Sequence, residues 1–97
     1  MEEKRVPPHS LEAEEAVLGA ALLDSSAVNK ILEILQEGHF YSPANQKIFR
    51  AIVDLYNRNV APDLVTVSDQ LRQNKILEEV GGPEYISNIV ANVITTA

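Results

Sequence analysis

Several side chains in this sequence are of types that could do chemistry, and their spacing decides what each can do. The two histidines, His9 and His39, lie thirty residues apart. Neither stands three or four residues from a second histidine or from a set of carboxylates resembling a metal-ligand run, the spacing that puts metal ligands on one helix face. Glu12, Glu14 and Glu15 crowd the start of a helical pattern. Negative charge there complements the helix dipole, and such carboxylates usually face water, so they read as dipole partners and not as a cation site. Nucleotide chemistry needs glycines that leave backbone N–H groups free for phosphates, a Lys for the terminal phosphate and a Ser or Thr for magnesium. None of Gly19, Gly38, Gly81 or Gly82 is followed by Lys-Ser or Lys-Thr, and there is neither a Gly-x-Ser-x-Gly elbow nor a Gly-x-Gly-x-x-Gly loop. No catalytic, cofactor-binding or metal-binding residue is expected in these 97 residues, so the chain by itself is not expected to be an enzyme.

Nucleic-acid contact is the next possibility, since Lys47, Arg50 and Arg58 fall along one helical segment. A net charge of −6 with only 8 basic residues weighs against it, because phosphate binding relies on clustered Lys and Arg. Asp54 also stands four residues after Arg50, where the two can pair. A helix-turn-helix could be imagined from Val67 across the turn at Asn74 to Gly82, yet its second helix, PEYISNIVANV, offers no Lys or Arg to bases or phosphates. A solvated face is the expected role of the basic residues.

The elements that would position any site are helical. The clearest runs from Pro43 to Asn57, with Ser42 as cap and proline in the first turn, where a missing N–H costs nothing. Ile48, Phe49, Ile52, Val53, Leu55 and Tyr56 fall on one face and Lys47, Arg50, Asp54 and Asn57 on the other. This is expected to be the central core helix. Ahead of it, Met1–His9 reads as a flexible arm, and Ser10 caps a first helix that ends at Asp24-Ser25-Ser26. Gly19 inside that helix costs about 1 kcal/mol relative to alanine, which a close helix crossing over Gly19, Ala20 and Ala21 would explain. Ser25 or Ser26 is expected to cap a second helix ending near Gln36, with Gly38 as a left-handed terminator and Phe40 and Tyr41 plugging the corner to an adjacent third helix. Thr66, with Asp69 three residues on, suggests a capping box for a fourth helix to about Asn74. Gly81-Gly82-Pro83 then starts a fifth.

No strand pattern competes, so the expected fold is all-α: a compact orthogonal bundle of about five to six short helices, residues 10–97 forming one domain. No apolar run approaches the ~18 residues of a membrane span, no signal peptide is evident at the N-terminus, and there are no cysteines. A cytoplasmic protein is expected. The β-branched run Val93 to Thr96 stops without a cap glycine, as if the chain were cut from a longer polypeptide.

Three segments also match a known family in order and spacing: PPHSLEAEEAVLGAALLD at Pro7–Asp24, FYSPANQKIFRAIVDLY at Phe40–Tyr56 and DLVTVSDQLRQNKILEEVGGPEYI at Asp63–Ile86. Together they resemble the N-terminal domain of bacterial replicative DNA helicases, the DnaB family. The resemblance implies an all-helical head preceding a helical hairpin, a linker and a RecA-like motor that binds ATP and magnesium, none of which this chain contains. It further implies a hexameric ring on single-stranded DNA, contacted mainly by the motor, with the heads forming a collar that organises subunits and docks primase. Without the hairpin, the isolated chain is expected to be monomeric or weakly associating.

The family resemblance supplies no catalytic motif, so partner-binding residues come from physical reasoning alone. A docking surface needs apolar or aromatic anchors that the core does not consume. Tyr41, Tyr56, Val60 and Leu64, with Arg58 as a polar rim, are the candidates. A stand-alone helical adaptor, or less readily a small DNA-binding module, would be the alternative roles for such a bundle.

Overall fold

Side-chain oxygens just ahead of apolar, helically spaced segments open four of the five α-helices in the computed structural model, which describes residues 10–96. Helix α1 is Leu11–Leu23, α2 Ser25–Ile34, α3 Pro43–Asn57, α4 Leu64–Gln73 and α5 Gly82–Thr96, with a 3-10 turn at Glu37–His39 between α2 and α3. There are no strands among the described residues, and the proposed arm at residues 1–9 lies outside them. Ser10 Oγ accepts from the Ala13 N–H at 3.2 Å, and Ser42 Oγ from the Asn45 N–H at 3.2 Å, as the capping pattern predicts.

Two caps differ from expectation, and in both a carboxylate displaces a hydroxyl. Asp24, not Ser25 or Ser26, caps α2: its Oδ1 accepts from the Ser26 N–H at 3.0 Å and the Ser26 hydroxyl at 2.7 Å. Its own N–H closes α1 on the Ala20 carbonyl at 3.0 Å, so one residue ends one helix and opens the next. The Ser26 hydroxyl, then the Ser26 N–H, hold the Asp24 carboxyl below its usual value of 3.8. A lowered folded-state pKa adds stability above the unfolded value and loses it as pH falls through the folded one. Asp24→Ala is therefore expected to lower the melting temperature by a few degrees at neutral pH, and by less in acid below the folded pKa. Equal losses at both pH values in thermal melts would show that the charge of the Asp24 carboxylate contributes nothing to the cap.

The second shifted cap opens α4 one turn earlier than predicted. Asp63 Oδ1 accepts from the Thr66 N–H, and Thr66 Oγ1 accepts from the Asp63 N–H, each at 2.9 Å, so Thr66 is the last residue of a capping box and not its first. Asp69 instead faces Arg72 at 3.5 Å and accepts from Gln73 Nε2 at 3.0 Å.

The helix ends also depart from the glycine rule. Gly38 does not terminate α2 in a left-handed conformation; the chain turns extended at Leu35, and Gly38 lies inside the 3-10 turn, where His39 Nδ1 accepts from the Gln36 N–H at 3.0 Å. The left-handed terminators are Asn59 (φ 62°) after α3 and Lys75 (φ 63°) after α4. Each closes a Schellman pattern. Val60 and Asn59 donate to the Leu55 and Tyr56 carbonyls, and Ile76 and Lys75 donate to those of Leu71 and Arg72.

The core gathers Leu18 from α1, Val28 from α2, Ile48, Phe49, Ile52 and Leu55 from α3, Val67 and Leu71 from α4, and Ile86 and Ile89 from α5, all buried. Helix α3 therefore buries Ile48, Phe49, Ile52 and Leu55 of the face its periodicity marks, with Val53 half-buried and Tyr56 exposed, and it shares the centre with α1, which packs on α2, α3 and α5. Phe40 plugs the corner alone, its ring centroid 4.8 Å from that of Phe49, while Tyr41 is 48% exposed. Helices α2 and α3 do not cross closely; α2 leans on α1 and faces α3 across a groove. Gly19 is explained as expected. A Cβ there would collide with Val93 Cγ2 and come within 2.9 Å of the Ile89 carbonyl oxygen, so the α1–α5 crossing needs a residue without a side chain.

Candidate functional site

The polar centre of the bundle is built around Glu14, which is only 9% exposed and so is not the solvated dipole partner expected of it. Its carboxylate accepts from the Tyr41 N–H at 2.6 Å, the Ser42 N–H at 3.4 Å and Asn45 Nδ2 at 2.9 Å. Asn45 is fully buried, and its Oδ1 accepts from the Tyr85 hydroxyl at 2.6 Å. That hydroxyl also lies 3.2 Å from Glu15 Oε2. One phenolic proton cannot serve both acceptors, and the shorter contact gives it to Asn45. The set ties α1 to the entry of α3 and to the first turns of α5, so it fixes how the chain approaches α3 at Tyr41. A signal for it did exist: Glu14 shares the helical face of Leu18, Ala21 and Leu22.

Burial, and then the neighbouring charge of Glu15, push the Tyr85 hydroxyl up to about 12 from its usual 10.0. A group whose folded pKa is raised contributes stability in full below the unfolded value and loses it as pH climbs through the folded one. Stability is thus expected to fall between pH 10 and about 12 more steeply than in Tyr85→Phe, as read from urea midpoints. Identical pH slopes for the two proteins would remove Tyr85 from the network.

The five residues singled out as partner anchors are not one patch. Tyr41 and Tyr56 stand at opposite ends of α3, roughly 20 Å apart at 1.5 Å per residue. Tyr56 and Val60 line one hollow where the Asn59 turn folds the chain back after α3, while Arg58 reaches toward α4. Tyr56 is 37% exposed and donates to Asn29 Oδ1 on α2 at 2.8 Å, and Arg58 Nη2 donates to Gln70 Oε1 on α4. Val60 is half-buried, packed against the core, and lines with Tyr56, Ala61 and Pro62 a hollow of about 290 Å³. Leu64, also half-buried against the core, opens on a different hollow of about 430 Å³ beside Val65 and Pro83.

Val65, 73% exposed, is the stronger anchor on that side and was missed. It stands about 200° around the helix from buried Val67, which puts it outward. The groove between α2 and α3, about 450 Å³, is lined by Leu32, Leu35, Phe49 and Val53 and reaches Tyr56 at one end.

The basic residues along α3 are engaged locally. Lys47 Nζ lies 2.6 Å from Glu79 Oε2, and Arg50 lies 3.8 Å from Glu37 and not with Asp54, as had been expected. Asp54 accepts instead from Gln70 Nε2 at 3.3 Å. The ion pairs are exposed and each contributes no more than about 1 kcal/mol, but they leave α3 a mixed surface instead of a basic stripe. Among the described residues no group of three or more His, Asp and Glu converges as metal ligands would, and no helix is long and apolar enough to cross a membrane.

Five helices around a buried polar centre define a small all-helical domain among the described residues. Comparison with known proteins narrows this. The DnaB-like helicase N-terminal domain model matches residues 6–97, and the chain belongs to that family. It is 46% identical over 94 residues to the replicative DNA helicase DnaB of Geobacillus stearothermophilus, covering 97% of this chain and 21% of that protein. It is 44% identical over 93 residues to the DnaB of Treponema pallidum, covering 96% of this chain and again 21% of the relative. The chain thus spans about a fifth of these curated relatives. Among solved structures, the N-terminal domain of DnaB helicase from Mycobacterium tuberculosis superposes with a TM-score of 0.87 at 41% identity, over 91% of this chain and 64% of that one.

Proposed function

We propose that this domain is the collar-forming head of an ATP-dependent, hexameric replicative DNA helicase, and that its own work is to organise subunits and dock primase at the fork. The observation that carries this reading is the family match over residues 6–97, supported by relatives named replicative DNA helicases. On this reading ATP and magnesium are bound, and DNA is mainly contacted, by the remainder of the helicase, which acts in the cytoplasm. The engaged basic residues of α3 and an α5 without Lys or Arg agree with a domain that handles proteins and not phosphates.

The proposed docking surface takes in two hollows, that of Tyr56 and Val60 with Arg58 as a polar rim and that of Leu64; Tyr41 belongs to the opposite end of α3. If this surface binds primase, Tyr56→Ala and Leu64→Ala should each weaken affinity about tenfold, the loss typical of truncating an interface anchor. Unchanged affinity in variants with an unaltered circular dichroism spectrum would remove the surface from the reading. The isolated chain should also sediment as a monomer or a weak oligomer at high micromolar concentration, whereas a tight dimer or hexamer would show that these residues suffice for assembly.

A further inference from the structure

We draw no further inference here: the strongest candidate, the apolar groove between α2 and α3 lined by Leu32, Leu35, Phe49 and Val53, ends at Tyr56 in the surface already proposed for docking, and nothing in the structure shows what covers the rest of it.

Discussion

Glu14→Ala is expected to lower the unfolding free energy by about 3 kcal/mol, although glutamates near a helix start are usually replaced at little cost. The carboxylate is the acceptor for the Tyr41 and Ser42 N–H groups and for Asn45 Nδ2. Asn45 is fully buried, so its amide would keep the whole desolvation penalty, while the two half-buried N–H groups can recover part of theirs from water. Glu14→Gln keeps one carbonyl acceptor and should fall between the wild type and alanine. Urea unfolding of both variants, beside the exposed control Glu12→Ala, measures this. The double variant Glu14→Ala/Asn45→Ala should destabilise by less than the sum of the singles, because the groups act as one network. A loss at Glu14 no larger than at Glu12 would mean that the buried cluster contributes nothing.

Gly19→Ala carries the second-largest effect, with a sign opposite to helix propensity. Alanine in a helix interior is favoured over glycine by about 1 kcal/mol. Here the added methyl meets the Ile89 carbonyl oxygen at 2.9 Å and the Val93 side chain more closely still. The carbonyl belongs to a helix and cannot rotate away, so α5 must shift; overpacking of this kind costs about 1 to 3 kcal/mol. The net expectation is a loss of up to about 2 kcal/mol in chemical unfolding. Truncating the neighbour as well, in Gly19→Ala/Val93→Ala, should recover part of it. A stabilised Gly19→Ala would show that α1 and α5 lie further apart than described.

What could be read from the sequence was local. Ser10, Ser42-Pro43 and Gly82-Pro83 sit at true helix starts because a cap needs only residues within three or four positions of one another. The buried face of α3 follows from its period alone. Gly19 was legible for the same reason: a costly residue inside a good helix asks for a close neighbour.

The errors arose where two local solutions competed, or where the partner was distant in sequence. Thr66 with Asp69 and Asp63 with Thr66 both satisfy a capping pattern, and the carboxylate at Asp63 won. Gly38 looked like a terminator, yet the left-handed positions fell to Asn59 and Lys75, where the Schellman hydrogen bonds offset the strain. Glu14 was misread because its partners lie 27 to 31 residues further on, in Tyr41, Ser42 and Asn45. The partner anchors divided for a related reason: exposure is a property of the assembled surface, so the sequence could nominate Tyr41 and Tyr56 together without showing that α3 holds them apart.

The central claim, that this domain is itself a docking platform, is tested most directly by titrating primase onto the intact chain in a calorimeter. Saturable binding at a single class of site, weakened by Tyr56→Ala and unaffected by Tyr41→Ala, is the expected result. Absence of binding to a chain shown to be folded by circular dichroism would contradict it and place primase docking elsewhere in the helicase.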